Sequence, residues 1–398
     1  MTCALVACGG CKFEPVSLDD LTDGGGPDTD PAADDDLPDD GPTDDPTTDE
    51  QATDVDPVFA ACDATLYTAS APIRTNRQGF GNITVTVDGY QSMLVQAAPV
   101  DGAMIASYGI SDENGDLAWS IDDWSSDEIW SGSPIAAPRT IINFPSRSDD
   151  GRLSDGDWTV QVVAVDGEGY GVPNADLDVQ VFFKEDPDLT SSCLPVRVVY
   201  ARGMDDLDTK AAVAAGFQRF QEIYASVGVS VILLEEETSS LPADLPRPGD
   251  GDRRYADVSA DLVVTLAIGD TVDNSVDILG QAGGIPGAMT AGDQSVVAIA
   301  VWLHAGANGR FNDAELGSLG ETMAHEVGHY LGLVHPVQYD GDLNVVAFDA
   351  LDDTERCSSW ERCDQLLGEN LMYPYSGRSM FNLTDDQMGV MHRYVGVQ

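Results

Sequence analysis

The chain has 398 residues, with 69 acidic side chains against 19 basic ones and a formal net charge of −50. That balance leaves no basic patch to displace counterions from phosphate, which excludes nucleic acid as a partner and charge-driven attachment to an anionic membrane. No apolar run approaches the roughly 20 residues that cross a bilayer, and the length suffices for two folded domains with tails.

The first region, residues 1–16, contains Leu5-Val6-Ala7-Cys8. These four residues resemble a bacterial lipobox, in which Cys8 is lipidated after cleavage; this implies a lipid anchor at the cell surface. The segment departs from a full signal by lacking a basic start and by the shortness of its apolar stretch. An apolar tail without a targeting role is the other reading. Residues 17–57 hold runs of Asp with Pro, Thr and Gly and no basic side chain. Such a segment cannot bury enough apolar surface to offset its conformational entropy, so it is expected to be disordered, and its like charges extend it. It reads as a solvated tether in preference to a calcium-binding run.

Residues 58–193 change character. Ile83-Thr84-Val85-Thr86-Val87, Trp158 to Val165 and Leu177 to Phe183 alternate apolar with polar, separated by Gly, Asp, Asn and Ser clusters. Short alternating strands with turn signals and no helical stretch predict an antiparallel β-sandwich. Asp112, Asn114 and Asp116 place oxygen ligands at alternate positions, a pattern that suits Ca²⁺; a polar turn without metal fits the same residues. The seven cysteines lie at 3, 8, 11, 62, 193, 357 and 363. They do not form the two C-x-x-C pairs of a zinc ribbon. Cys62 with Cys193, flanking this domain, and Cys357 with Cys363, closing a short loop, are disulfide candidates that imply an oxidising compartment. Free thiols in a reducing cell are the alternative.

Residues 194–398 read as a second, mixed α+β domain. Pro195 to Tyr200 is a strand, and Asp208-Thr209 caps a helix whose stripe is Val213, Phe217, Phe220, Tyr224 and Val227. Val229 to Leu234, the almost wholly apolar Leu262 to Ile268, and Ser295 to Trp302 are further strands. Leu279 to Ile285 lies between the last two. Ser318-Leu319-Gly320-Glu321 has the form of a capping box opening a helix that carries Leu319, Met323 and Val327 toward the sheet. Residues 349–363 read as loop, and Thr384-Asp385-Asp386-Gln387 caps a last helix.

Three of the five histidines, at 304, 325, 329, 335 and 392, fall in His325-Glu326-Val327-Gly328-His329-Tyr330-Leu331-Gly332-Leu333-Val334-His335. Residues four apart share a helical face, so His325 and His329 present two nitrogens to one cation. Gly332 takes the left-handed conformation that ends a helix and lets the chain bring in His335. Three neutral imidazoles leave a fourth position open, the plan of a catalytic rather than a structural zinc site. Glu326, beside the first ligand, reaches a water without being a ligand. His304 and His392 read as ordinary surface or core histidines.

The motif resembles the signature of the metzincin clan of zinc endopeptidases, H-E-x-x-H-x-x-G-x-x-H followed by a methionine turn. Asn370-Leu371-Met372-Tyr373-Pro374 is similar to that turn, with Met372 as an apolar floor. Asp353-Thr354-Glu355-Arg356-Cys357 and Leu279 to Pro286 resemble segments of the pappalysin-like, or cytophagalysin, family. The resemblance spans roughly residues 194–398. It implies a metzincin-like domain, a mixed twisted sheet with a zinc helix, and hydrolysis of extracellular proteins or peptides with Zn²⁺ as cofactor and Glu326 as general base. Substrate would lie along Gln281, Ala282, Gly283 and Gly284, because an edge strand offers free backbone groups to an extended peptide. Where several metzincins carry a metal-reaching Tyr, this chain has Pro374 between Tyr373 and Tyr375, so both tyrosines are read as packing. Gly156 to Val162 looks like a late strand of the jelly-roll modules found on secreted bacterial proteases. The rival expectation is a non-catalytic surface-binding protein on a tether, using the same fold as scaffold; a carboxylate beside the ligands weighs against it.

Overall fold

The alternating runs become strands. The computed structural model describes residues 66–70, 73–120, 128–129, 137–185, 189–375 and 379–398; the segments expected as lipobox, with Cys8, and as acidic linker lie outside the described residues. Up to residue 185 the strands are β1 (Leu66–Ser70), β2 (Ile73–Arg74), β3 (Phe80–Val87), β4 (Ser92–Pro99), β5 (Met104–Ser111), β6 (Leu117–Ser120), β7 (Glu128–Ile129), β8 (Thr140–Phe144), β9 (Gly156–Val165) and β10 (Asp176–Lys184). All but β7 form two antiparallel sheets, ordered β1-β10-β4-β8, with β2 also on β10, and β3-β9-β5-β6. β9 alternates buried and half-buried residues along its length, as a strand with one face in a core must. Its Trp158, Val160 and Val162 meet Val95, Phe144 and Val181 of the other sheet in a common apolar core.

The β4–β8 side of the first sheet is buried on both faces. Every residue of β8 is buried, and so are the first six of β4. Leu94, Ile141 and Phe182 point away from the core between the sheets and into that of the C-terminal half. The doublet Phe182-Phe183, which breaks the period of two, marks where a second face is covered.

The C-terminal half is built on the sheet β12-β11-β14-β17-β16. Its elements are β11 (Ser192–Tyr200), α1 (Leu207–Ser226), β12 (Val229–Thr238), β13 (Asp244–Leu245), β14 (Val264–Gly269), β15 (Thr271–Val272), β16 (Gly280–Ala282) and β17 (Val296–Ala300). The pairings β11–β12, β11–β14 and β14–β17 are parallel, and β16 runs antiparallel to β17 at the edge. Parallel strands covered on both faces need continuous apolar sequence, as in the fully buried β14 and β17. The strand positions follow the sequence expectation. The cap of α1 is Asp206, whose carboxylate accepts the Asp208 and Thr209 amides.

The next helix, α2 (Asp313–Tyr330), starts five residues before the expected Ser318. Two capping boxes are written in tandem, and the earlier one operates: Asn312 accepts the Glu315 amide while the Glu315 carboxylate takes the Asn312 amide. Glu321, the acid of the later box, is buried and accepts instead from Arg219 and the Met380 amide. Leu319, Met323 and Val327 are fully buried toward the sheet. The chain then forms the hairpin β18 (Val337–Tyr339) and β19 (Val345–Asp349), unforeseen in the sequence, and β19 is joined in parallel by β7 from the upstream half. The expected loop 349–363 ends early, since α3 (Trp360–Leu367) begins within it on the Ser359 cap. The Thr384–Gln387 box opens α4 (Asp385–Arg393) as read. Cys357 and Cys363 form a disulfide. Cys193 is disulfide-bonded; Cys62, its expected partner, lies outside the described residues.

Helices α1 and α2 cross at two glycines. A Cβ at Gly320 would stand 2.4 Å from the Gly216 carbonyl oxygen and 2.5 Å from Arg219 Cβ. Gly320→Ala should therefore destabilise the protein by about 1–3 kcal/mol, as overpacking does, despite a gain of ~1 kcal/mol in helix propensity. A denaturant midpoint that rises in this variant would contradict the crossing.

Candidate metal centre

Gly328 and Gly332 shape the site. Gly332 takes φ +100°, open to glycine at little cost. The Gly332 and Leu333 amides then bond back to the His329 and Gly328 carbonyls and close the helix end. The turn delivers His335 to the two helical histidines. His335 Nε2 lies 3.1 Å from His329 Nε2 and 3.3 Å from His325 Nε2. Donors on a tetrahedron around zinc, with bonds of roughly 2.0–2.1 Å, stand about 3.3–3.4 Å apart, so the spacing fits.

The other ring nitrogens decide the tautomers. His325 Nδ1 donates to the Leu371 carbonyl and His329 Nδ1 to the Leu333 carbonyl, each at 2.7 Å. With the protons on Nδ1, the Nε2 lone pairs of both rings face inward. His335 Nδ1 lies 3.3 Å from the Gln338 amide; the same tautomer requires that amide to present its oxygen. Three lone pairs then converge with no proton between them, a donor set that calls for a cation. Burial keeps all three rings neutral. It lowers the pKa of His325 to about 4; burial and the neighbouring His325 lower that of His329 to about 3; burial, His329 and His325 put that of His335 well below the ordinary value. Among the described residues, these three form the group of His, Cys, Asp or Glu able to hold a metal ion.

Glu326, 3% exposed, turns toward the edge strand and accepts the Ala282 amide at 3.0 Å. Burial pushes its carboxyl up to about 8, opposed by that amide; a cation on the adjacent rings acts in the lowering direction. Gly280 permits the approach, since a Cβ there would stand 2.7 Å from Glu326 Cγ. The Gly283 amide bonds to the Val296 carbonyl, and alternation turns Gln281 the same way. Of the four edge residues expected to meet a peptide, Gln281 and Gly283 thus face β17. Ala282 faces outward with its amide already engaged by Glu326, and Gly284 follows the end of the strand.

Met372 is fully buried under the helix, and a Cβ at Gly328 would meet its Sδ at 2.6 Å. The turn that carries it also supplies the Leu371 carbonyl for His325, and Asn370 Oδ1 accepts the Met372 amide at 2.9 Å. Tyr373 is buried, with its hydroxyl 3.0 Å from that of Tyr339; Tyr375 is half-buried with its ring 5.5 Å from Tyr339. Both pack in one aromatic cluster. His392 is a core histidine: its Nε2 donates to the Val227 carbonyl and its Nδ1 accepts from Ser192. His304 is buried, 3.3 Å from the Ser318 hydroxyl. At the calcium candidate, Asp112 Oδ1 accepts the Asn114 and Asp116 amides and closes the β5–β6 turn; these bonds build a polar turn.

Gln338 and Gly280 were not singled out from the sequence. A glycine inside a strand pattern is a signal of close approach, which Gly280 fits. Nothing local marks Gln338.

No protein-family model matches the chain, and no curated protein matches it. Among solved structures, metalloproteinase-II from Bacteroides fragilis is similar over 57% of this chain at 12% identity, with a TM-score of 0.32. The match spans 63% of the length of that protein. A zinc-dependent peptidase from Methanocorpusculum labreanum is similar over 43% of this chain and 99% of its own, at 16% identity and a TM-score of 0.23. These likenesses are too distant to carry an argument, and the site stands on its own geometry.

The purified protein should hold one zinc per chain, removable by a strong chelator. Changing His325, His329 or His335 to Ala should abolish stoichiometric zinc, whereas Met372→Leu, which keeps an apolar floor, should retain it. Full zinc content in any of the three histidine variants, measured by mass spectrometry of the metal, would contradict the assignment.

Proposed function

We propose that the chain is a zinc-dependent endopeptidase of metzincin type, acting on proteins or peptides outside the cell. One observation carries the reading: three histidine Nε2 atoms converge beside a buried carboxylate that is itself tied to the edge of the sheet. His325, His329 and His335 would hold zinc, which when bound would supply the Lewis acidity for polarising a carbonyl and acidifying water. Glu326 accepts the proton of the attacking water and delivers it to the leaving amine as the C–N bond breaks. The Leu371 and Leu333 carbonyls keep His325 and His329 in the tautomer that offers Nε2. Met372 excludes water from beneath the helix. Extended peptide would add along the outward side of β16, where Ala282 links the edge to Glu326.

The pappalysin-like assignment rests on the resemblance of Asp353 to Cys357 and of Leu279 to Pro286. The two antiparallel sheets upstream are read as a β-sandwich of jelly-roll type. The Cys357–Cys363 disulfide agrees with an oxidising compartment, and the lipobox-like start with attachment to a bacterial cell surface.

Glu326→Ala should keep its zinc and lose hydrolysis of a protein substrate such as casein by roughly 10²–10⁴-fold. A variant that cleaves as fast as the parent would remove Glu326 from the mechanism. A zinc-loaded parent that cleaves neither casein nor a peptide library would favour the non-catalytic binding protein.

A further inference from the structure

We infer that the upstream half of the chain is a working part of the metal site, because it holds the hairpin that orients the third imidazole. The inference rests on the zinc reading above for its consequence, though not for its geometry. His335 receives its Nδ1 contact from Gln338, which lies on β18. β18 is one arm of a hairpin whose other arm, β19, pairs along its far side with β7, Phe348 with Glu128 and Asp349 with Ile129. The Ala350 amide donates to the Ile129 carbonyl at 3.2 Å. Glu128 and Arg356 add an ion pair at 2.5 Å.

Arg147 closes the same junction from a second direction. Its Nη1 donates to the Ala350 carbonyl at 2.9 Å, while Asp150 holds the rest of the guanidinium at 2.8 and 3.0 Å. Arg147 follows β8, whose own Asn143 donates to the Arg393 carbonyl and accepts the Val395 amide. A planar guanidinium gripped by a carboxylate is a stiff donor, suited to fixing one carbonyl in place.

The loop behind β16 is held in the same way. Gln96 of β4, 2% exposed, accepts the Met289 amide at 3.1 Å and donates to Thr290 Oγ1 at 2.6 Å. Arg139 adds a bond to the same hydroxyl at 2.9 Å. At the back, the fully buried Lys184 donates to the His392 carbonyl at 2.7 Å and to that of Val397. A buried ammonium and a buried amide so satisfied by the other half belong to one folded unit, since parting the halves would strip their partners. Three separate contacts thus run from the upstream half to the His335 hairpin, the edge-strand loop and the C-terminus.

The test uses the full chain with Arg147→Ala, Gln338→Ala, the double variant and Thr86→Ala as a control on the exposed face of β3. Zinc affinity is read by competition with a chromophoric chelator, and the order of the hairpin by hydrogen exchange at amides 337–349. Gln338→Ala should weaken zinc by about 10-fold, the usual cost of losing a hydrogen-bond partner of a metal-binding histidine, and Arg147→Ala, acting through the hairpin, should weaken it by less and speed exchange in the hairpin. Arg147→Lys should fall between it and the parent. The double variant should lose less than the product of the single losses, because both act through one element. Thr86→Ala should change neither readout. Unchanged exchange at 337–349 in Arg147→Ala, or fully independent losses in the double variant, would overturn the inference. If the parent binds no zinc, the metal reading alone fails, and the exchange comparison still decides the coupling.

Discussion

Three neutral imidazoles pointing their lone pairs at one spot is the constraint on which the rest of the molecule depends. Each Nε2 is an acceptor facing other acceptors, an arrangement that is unfavourable unless a cation lies between them. The protein holds it through bonds on the opposite side of each ring. Two come from backbone carbonyls, of Leu371 and Leu333, and the third from Gln338. A carbonyl can only accept, so it dictates the tautomer without further cost. The Met372 turn and the Gly332 turn are therefore the second layer of the site, and both glycines of the motif serve close approach or chain reversal.

The edge strand is joined to the same centre by a short route. Gly280 leaves room for Glu326, and Glu326 accepts from the next outward amide. The carboxylate is positioned by the element along which a peptide would lie. Any shift of β16 moves Glu326, which ties the packing of the loop behind it to the chemistry proposed at the site. Gln96 and Arg139 hold that loop from the other half of the chain.

Much of this was legible in the sequence, and the exceptions have physical reasons. The convergence of His325, His329 and His335 with Glu326 beside them was readable because helical periodicity and a glycine stop are local, and Met372 was readable only through the resemblance of its turn to that of the metzincins. The buried strands were readable because parallel strands covered on both faces leave long apolar runs. The start of α2 was misplaced because two capping boxes stand in tandem and only tertiary packing chooses between them: Glu321 is drawn to Arg219 and Met380. The β18–β19 hairpin was missed because its third strand is supplied from over two hundred residues upstream. Gln338 was missed because its role depends on a contact with His335 rather than on any pattern. The doublet at 182–183 and the residues of β8 carried a signal of two-sided burial that a search for simple alternation passes over.

The central claim is most directly tested by X-ray absorption at the zinc edge on the purified, zinc-loaded protein in solution. The account predicts three imidazole nitrogens at roughly 2.0–2.1 Å, recognisable by their ring scattering, with one lighter oxygen or nitrogen donor completing the shell. A first shell that contains sulfur, or fewer than three histidine rings, would contradict it.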